Sequence, residues 1–332
     1  MVVALGGNAI LQPGQKGVYE EQIENVNKTC CQIVAMMKDG YRVVITHGNG
    51  PQVGNILIQN EAGSAQVPAM PLDVCGAESQ GLIGYMIQQS LTNLLREEGI
   101  DRPVATVVTQ MVVDRSDPAF SRPTKPVGPF YDEQRARRAM AEKHETWIED
   151  SGRGWRKVVP SPDPVRIVEK DAILTLVESG AIVIANGGGG IPVVDDGETL
   201  TGVEAVIDKD LGGQRLAADI GADVFLILTD VPKVAINYRK PDQVDLDRIT
   251  VDEVERYQRE GHFKAGSMGP KVEACKRFVL ECGGVAIISS LDRAVEALKG
   301  RAGTWITAHG ARVIPCRGAA AVPGMEAGRI RS

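Results

Sequence analysis

The chain has 332 residues, of which 43% are hydrophobic and 24% are charged, and its formal net charge is −6 at pH 7. This is the composition of an ordinary soluble globular protein with a large core. The acidic balance argues against an extended nucleic-acid surface, which would need a basic stripe, but leaves room for a local basic pocket.

Strand and helix patterns alternate along the first 112 residues. Short β-branched runs predict strands over 2–5, 43–46 and 104–112, and apolar residues at helical spacing predict helices over 20–39, 52–62 and 78–98. Such alternation predicts a mostly parallel sheet that is covered by helices.

The composition changes between residues 114 and 164. Seven of the 18 prolines fall in this stretch, and because proline cannot occupy a central strand, we expect no sheet here. We predict a small protruding subdomain or lid. A long surface loop is the alternative, although insertions of this length are usually functional.

Alternation resumes at about residue 165. The pattern predicts helices over 171–179, 206–220, 251–260 and 270–282, and strands over 182–185, 224–228 and 285–289. The segment 311–332, rich in Gly, Ala and Arg, is expected to be a loose tail, and no role is assigned to it.

The sequence also bears on compartment. No apolar run reaches the length of about 18 residues that a membrane span needs, and no basic segment precedes the first strand, so we expect neither a membrane anchor nor a signal peptide. The six cysteines lack Cys-x-x-Cys spacing, which disfavours a zinc ribbon or a redox motif. We therefore expect free thiols in a reducing cytoplasm.

Three of the predicted strands end abruptly in glycine and continue into helix-like sequence. The turns are Gly6-Gly7-Asn8, Gly48-Asn49-Gly50 and Gly187–Gly190. Backbone N–H groups exposed at a helix start form an anion site, so three such turns predict a cradle for phosphate or carboxylate. Each turn alone could equally be a plain strand-to-helix connection. His47 has no evident carboxylate or serine partner in the sequence, so we expect it to be a buried histidine without a catalytic role.

Two common phosphate-binding fingerprints are absent from the sequence. The chain has no GxxxxGK[ST] motif, which excludes a P-loop enzyme. The glycines that begin at Gly48 follow GxGxxxG instead of GxGxxG and stand at the second strand, so a nicotinamide-dependent dehydrogenase is not favoured.

Three lysines stand beside glycine-rich turns or at predicted helix starts: Lys125, Lys209 and Lys271. Phosphoryl transfer requires cations around the three oxygens of the migrating group, and a lysine in a first helical turn is unfavourable unless an anion binds there. A solvated surface charge is the alternative for each lysine. Asp208 and Asp210 flank Lys209 and could hold the lysines, help to bind Mg²⁺ or simply cap a helix.

The motifs, in chain order, are ALGGNA (4–9), HGNGPQVG (47–54), TKPVGPFY (124–131), RKVVPSP (156–162), NGGGGIP (186–192), GVEAVIDKD (202–210), LTDV (228–231) and GSMGPKV (266–272). Together they resemble the carbamate kinases of the amino acid kinase family, over about residues 2–308. The resemblance implies an α/β fold: a three-layer α/β/α sandwich around a mainly parallel open sheet, with a small protruding subdomain. It implies the reversible reaction ATP + carbamate = ADP + carbamoyl phosphate, used in arginine metabolism to make ATP.

The resemblance further implies a homodimer and a need for Mg²⁺, which the nucleotide phosphates would mainly hold, without a metal site in the protein. It implies catalytic roles for Lys125, Lys209, Asp210 and Lys271, with Lys125 replacing the first-turn lysine of related kinases. It implies that carbamate and the phosphoryl group are bound by Gly6, Gly7, Asn8, Gly48, Asn49 and Gly50. It implies that the nucleotide is bound by Gly187, Gly188, Gly189, Lys209, Thr229, Asp230, Val231, Tyr238, Met268 and Lys271.

On this basis the chain divides into a carbamate- and phosphoryl-binding part over 1–113 and 165–200, a lid over 114–164 and a nucleotide-binding part over 201–310. Two rivals remain open. A sister kinase would phosphorylate acetylglutamate, aspartate or UMP but not carbamate. A non-catalytic nucleotide sensor on the same fold would bind ATP without turnover and would be expected to lack some of the three lysines, all of which are present.

Overall fold

The computed structural model describes residues 1–143, 145–150, 152–264 and 266–308. Its α-helices within these ranges are α1 Tyr19–Lys38, α2 Gly50–Gly63, α3 Leu72–Glu97, α4 Glu133–Lys143, α5 Lys170–Glu178, α6 Lys209–Asp219, α7 Val251–Arg259, α8 Met268–Cys282 and α9 Ala294–Leu298. Its strands are β1 Val2–Leu5, β2 Val44–His47, β3 Val104–Thr106, β4 Gln110–Val113, β5 Lys125–Tyr131, β6 Thr146–Glu149, β7 Trp155–Val159, β8 Pro164–Ile167, β9 Ile182–Ile184, β10 Ile191–Asp195, β11 Leu200–Gly202, β12 Val224–Thr229, β13 Val234–Ile236, β14 Val244–Leu246, β15 Arg248–Thr250, β16 Val285–Ser290 and β17 Thr304–Thr307.

The main sheet has eight strands in the order β15-β17-β16-β12-β1-β2-β9-β3. Its neighbours pair in parallel except β16 and β17, which are antiparallel. Parallel neighbours require crossover connections, and helices provide them. The predicted mainly parallel open sheet is confirmed.

Helices cover both faces of this sheet because successive side chains along a strand point to opposite faces. Val2 and Ala4 of β1 belong to one buried cluster, which also contains residues of α5, α6, α7 and α8. Val3 and Leu5 belong to a second buried cluster, which is shared with α1 and α3. The result is the predicted three-layer α/β/α sandwich.

The prediction that 114–164 contains no sheet was wrong. Three strands of this stretch form an antiparallel sheet in the order β5-β7-β6, and α4 connects β5 to β6. The prolines are tolerated because β5 is an edge strand. Pro126 pairs with Val158 there, and Pro129 falls where the register between β5 and β7 shifts.

Two other predicted elements differ from the structure by more than a helical turn or in their division into strands, while the rest agree within about three residues. The single strand expected over 104–112 is two strands, since β3 is the edge of the main sheet while β4 belongs to a four-stranded sheet in the order β11-β10-β4-β8. Helix α3 begins at Leu72, six residues before its predicted start. The predicted tail over 311–332 lies outside the described residues. In the described part of the chain, no helix is both long and apolar enough to cross a bilayer.

Candidate active site

Five neighbouring parallel strands, β16, β12, β1, β2 and β9, end at one edge of the main sheet. Ligands of open α/β sheets bind outside such carboxyl ends. A cavity of about 730 Å³ opens there, within the usual size range of small-molecule sites. Its wall includes Gly6, Gly7, Asn8, Asn25, Lys28, Gln32, Lys209, Thr229, Asp230, Lys271, Ser290, Leu291 and Asp292.

One buried carboxylate joins two of the predicted lysines. Lys209 and Asp210 are the first two residues of α6, and Lys271 lies in the first turn of α8, which packs against α6. Asp210 is only 2% exposed. Its Oδ1 accepts a hydrogen bond from Lys209 Nζ at 2.6 Å, and its Oδ2 accepts one from Lys271 Nζ at 3.0 Å. Two ammonium groups from two helix starts are thus held side by side at the cavity.

The third predicted lysine reaches the same helix start from the protruding sheet. Lys125 is the first residue of β5, and its Nζ lies 2.8 Å from Asp208 Oδ2. Asp208 is the N-cap of α6, where its Oδ1 accepts the backbone N–H of Asp210 at 2.9 Å. Asp208 therefore acts both as a helix cap and as a lysine partner, which the sequence had left as alternatives.

The charges of this cluster are coupled. Burial alone would raise the pKa of Asp210, but the charges of Lys209 and Lys271 outweigh it and hold that pKa below its usual range. Burial would lower the pKa of Lys271, yet Asp210 keeps it above its usual range. For Lys209, burial dominates and lowers the pKa, and the neighbouring charge of Lys271 adds to the effect. Asp210 is consequently ionised at neutral pH and serves to hold the lysines together.

The first glycine turn brings the backbone close to these lysines. Gly6 donates its N–H to Leu228 O at 2.9 Å, and Gly48 donates its N–H to Leu5 O at 3.0 Å. These two hydrogen bonds fix the turns. The backbone N–H groups of Gly7 and Asn8, at the cavity wall, are then the donors available to an anion. The stem of Lys209 lies across Gly48, where an added Cβ would be 3.0 Å from the lysine Cδ.

The glycines of the tetrad that were predicted to bind the nucleotide lie beneath this surface. Gly187, Gly188 and Gly189 are buried, and a Cβ on Gly187 would lie 2.5 Å from the His47 ring. A Cβ on Gly188 would lie 2.3 Å from the side chain of Asn49. The tetrad therefore packs under the second turn, and its contact with a nucleotide remains a prediction.

His47 and Asn49 are held by polar contacts in this layer. His47 is buried, with Nδ1 3.0 Å from Gly48 O, and burial lowers its pKa to about 4. It is neutral at pH 7, and its burial agrees with the expectation of a buried histidine. The Asn49 amide donates to Ser79 Oγ at 2.8 Å, while Gly50 is the first residue of α2.

The predicted adenosine-binding residues divide into two groups. Thr229 and Asp230 line the cavity at the end of β12. Val231, Tyr238 and Met268 are not among the residues that line it. Tyr238 is 43% exposed, and Met268 packs against the core. Their contact with adenosine therefore remains a prediction.

Sequence reasoning missed several residues that shape the site. Ser290 ends β16, and Leu291 and Asp292 follow it. The rule that ligands bind at the carboxyl ends of strands would have found them. The local sequence around Gln80 gave no indication of its role. Its buried side chain, on α3, hydrogen-bonds the backbone of Thr109. It also donates to the carbonyl oxygen of Gly187 at 3.0 Å, which helps to fix the position of that glycine.

Comparisons with known proteins agree with this geometry. The sequence model described as the amino acid kinase family matches residues 1–289. A protein of Thermococcus kodakarensis named carbamate kinase is 61% identical over 309 residues, which cover 92% of this chain and 98% of that protein. A carbamate kinase of Pyrococcus horikoshii is 57% identical over 309 residues, with the same shares covered.

A solved structure is similar over almost the whole described chain. The carbamate kinase from Giardia lamblia bound to AMP-PNP superposes with a TM-score of 0.88 at 49% sequence identity. The match covers 92% of this chain and 98% of that one.

Proposed function

This chain belongs to the amino acid kinase family, and from that premise we infer that it acts as a carbamate kinase. It transfers a phosphoryl group between ATP and carbamate, with ADP and carbamoyl phosphate on the other side of the reaction. The similarity to carbamate kinases extends over 92% of the chain at up to 61% identity, which separates it from sister kinases with other acceptors.

The observation that carries the mechanism is the meeting of three lysines on two aspartates at the start of α6. Lys125, Lys209 and Lys271 bring three positive charges, and Asp208 and Asp210 bring two negative charges. The cluster therefore keeps one net positive charge that an anionic ligand can satisfy. The migrating phosphoryl group carries its charge on three oxygens, and positioned cations are what its transition state requires.

Transfer in this scheme is direct, from one substrate oxygen to the other. The carboxylate of carbamate is the nucleophile and needs no general base, which agrees with His47 being buried and neutral. The task of the site is to bring two anions together and to offset their repulsion. Holding both reactants in line supplies several kcal/mol of the rate acceleration.

We assign the two substrates to different parts of the strand edge. The nucleotide lies toward β12 and β16, where Thr229, Asp230 and Asp292 form the wall of the cavity. Carbamate and the migrating phosphoryl group lie toward β1 and β2. The support for this assignment is that the Lys209 stem lies across Gly48, just after β2, and that the backbone nitrogen of Gly7 lies close to Gly48 as well.

The residues present fit a magnesium ion that binds together with the nucleotide. Within the described ranges, no group of three or more His, Cys, Asp and Glu side chains could hold a metal ion by itself. Asp230 and Asp292 are carboxylates on the cavity wall. We propose that phosphate oxygens and water supply most ligands, with one of these carboxylates nearby. Bound there, Mg²⁺ would neutralise phosphate oxygens.

The test is to incubate the protein with ADP, Mg²⁺ and carbamoyl phosphate and to follow ATP by a coupled assay. We expect ATP formation that disappears without carbamoyl phosphate. Parallel reactions with ATP and acetylglutamate, aspartate or UMP should give no product. Binding of ADP without any ATP formation would overturn the proposal and favour a nucleotide sensor.

We propose ATP synthesis as the direction used, because carbamoyl phosphate is a reactive mixed anhydride.

We also propose a homodimer, since Leu82 and Tyr85 are exposed on α3 beside the edge strand β3. Sedimentation as a monomer at micromolar concentration would contradict the dimer. A cytoplasmic location is supported by the described cysteines, which are free thiols.

A further inference from the structure

We propose that Asp208 is a positioning residue that holds Lys125 of the protruding sheet in place for phosphoryl transfer. The inference rests on the proposed function and adds a role for a residue that does not itself reach the substrates. Asp208 acts through the lysine, by fixing where one of the three positive charges stands.

The two carboxylate oxygens of Asp208 have separate partners. Oδ1 accepts the backbone N–H of Asp210 at 2.9 Å as the N-cap of α6, and Oδ2 accepts Lys125 Nζ at 2.8 Å. Because the cap fixes the first oxygen to the helix backbone, the direction of the second oxygen is fixed as well. The Asp208 side chain is 14% exposed and that of Lys125 is 33% exposed, so the pair is only partly screened by water.

The protruding sheet has a second contact with the segment that leads into α6. Lys157 of β7 lies 2.5 Å from Glu204, four residues before Asp208. β5 and β7 pair with Val127 opposite Lys157, so neighbouring strands each place a lysine on this one segment. The protruding sheet thus contacts residues 204–208 through two ion pairs, and the pair of Lys125 with Asp208 is one of them.

An anchor matters for Lys125 because a lysine ammonium is a point charge on a flexible stem. Fixed positioning of reacting groups is worth a large part of catalysis, and a displacement of about 1 Å can cost about 100-fold in rate. An ammonium group has three N–H donors. Lys125 can therefore keep one hydrogen bond to Asp208 and give the others to phosphoryl oxygens.

The test begins with Asp208→Asn. Asparagine caps helices as well as aspartate does, so α6 keeps its cap while Lys125 loses its charged partner. We expect kcat to fall by about 10- to 100-fold, with KM for ADP changed by less than about threefold, since Lys209 and Lys271 remain. Asp208→Ser, which also caps but lacks the second oxygen, should give the same loss and covers the case in which the asparagine variant folds poorly.

A double-mutant cycle separates positioning from a structural role. In a Lys125→Ala background, Asp208→Asn should reduce kcat by less than about twofold, because the group through which it acts is gone. Thr250→Ala is the matched control, since it removes the N-cap of α7 away from the site. It should lower the midpoint of thermal unfolding and leave kcat unchanged.

Two results would overturn the inference while the proposed function stands: an unchanged kcat in Asp208→Asn, or an equal loss with and without Lys125. A wild-type protein that makes no ATP from ADP and carbamoyl phosphate would overturn the proposed function first, and this inference with it.

Discussion

Replacing Asp210 with asparagine should destabilise the protein strongly, because it removes the buried negative charge that two half-buried ammonium groups share. The Asp210 side chain is 3% exposed, and it bonds Lys209 at 2.6 Å and Lys271 at 3.0 Å. Removing one partner of a buried ion pair costs about 3–5 kcal/mol, since the remaining charge is left uncompensated.

The expected shift in the unfolding temperature follows from chain length. An unfolding entropy of about 2.1 cal/mol/K per residue gives about 0.7 kcal/mol/K for 332 residues. A loss of about 3–5 kcal/mol then lowers the midpoint by about 4–7 °C. The measurement is thermal unfolding by circular dichroism or calorimetry at neutral pH and low phosphate.

Glu98→Gln is the matched control for burial. It breaks an equally short pair with Lys38, at 2.5 Å, but the two side chains are 44% and 49% exposed. Such pairs contribute at most about 1 kcal/mol, so its midpoint should fall by no more than about 1–2 °C. Equal losses in the two variants would refute the argument that burial of Asp210 sets its energetic weight.

The remaining predictions concern Lys125 and His47. Lys125→Ala should lower kcat in the coupled ATP assay by about 100- to 1000-fold, as expected for the loss of one donor to the migrating group. The variant should still fold, because Asp208 keeps its cap of α6; a near-wild-type kcat would contradict the role of Lys125. Burial lowers the pKa of His47 from 6.5 to about 4. Between these two pH values the unfolded chain binds a proton at His47 and the folded chain does not. The free energy of unfolding should therefore fall by up to about 3 kcal/mol as the pH drops from about 6.5 to about 4. Urea unfolding at pH 7, 6 and 5 should show that His47→Gln lacks this part of the slope, and identical slopes would rule the explanation out.

The sequence was sufficient to predict the central strands of the main sheet and the edge at which ligands bind, but not its strands β15 and β17. Continuous β-branched runs marked β1, β2, β9, β12 and β16, because strands buried on both faces lack polar alternation. The runs of β1, β2 and β9 are followed by glycine turns, and that of β12 ends in Thr229-Asp230, which located the edge where ligands bind. Lys209 and Lys271 were found because lysine is unfavourable at a helix start, a signal that each residue carries in its own local sequence.

Other features depend on partners far along the chain and left no local trace. The sheet β5-β7-β6 was missed because Pro126 and Pro129 are acceptable only in an edge strand, and sequence alone does not reveal which strand is at an edge. The role of Gln80 depends on its hydrogen bonds to Thr109 and Gly187, which are 29 and 107 residues away. Tyr238 lies in the connection between β13 and β14, which pair with each other in a separate two-stranded sheet.

The ion pairs of the site also join segments that are synthesised far apart. Lys125 is 83 residues from Asp208, and Lys271 is 61 residues from Asp210. A nascent chain that has left the ribosome only as far as α6 lacks Lys271, and therefore one of the three cations. The complete charge cluster can form only after residue 271 has been made.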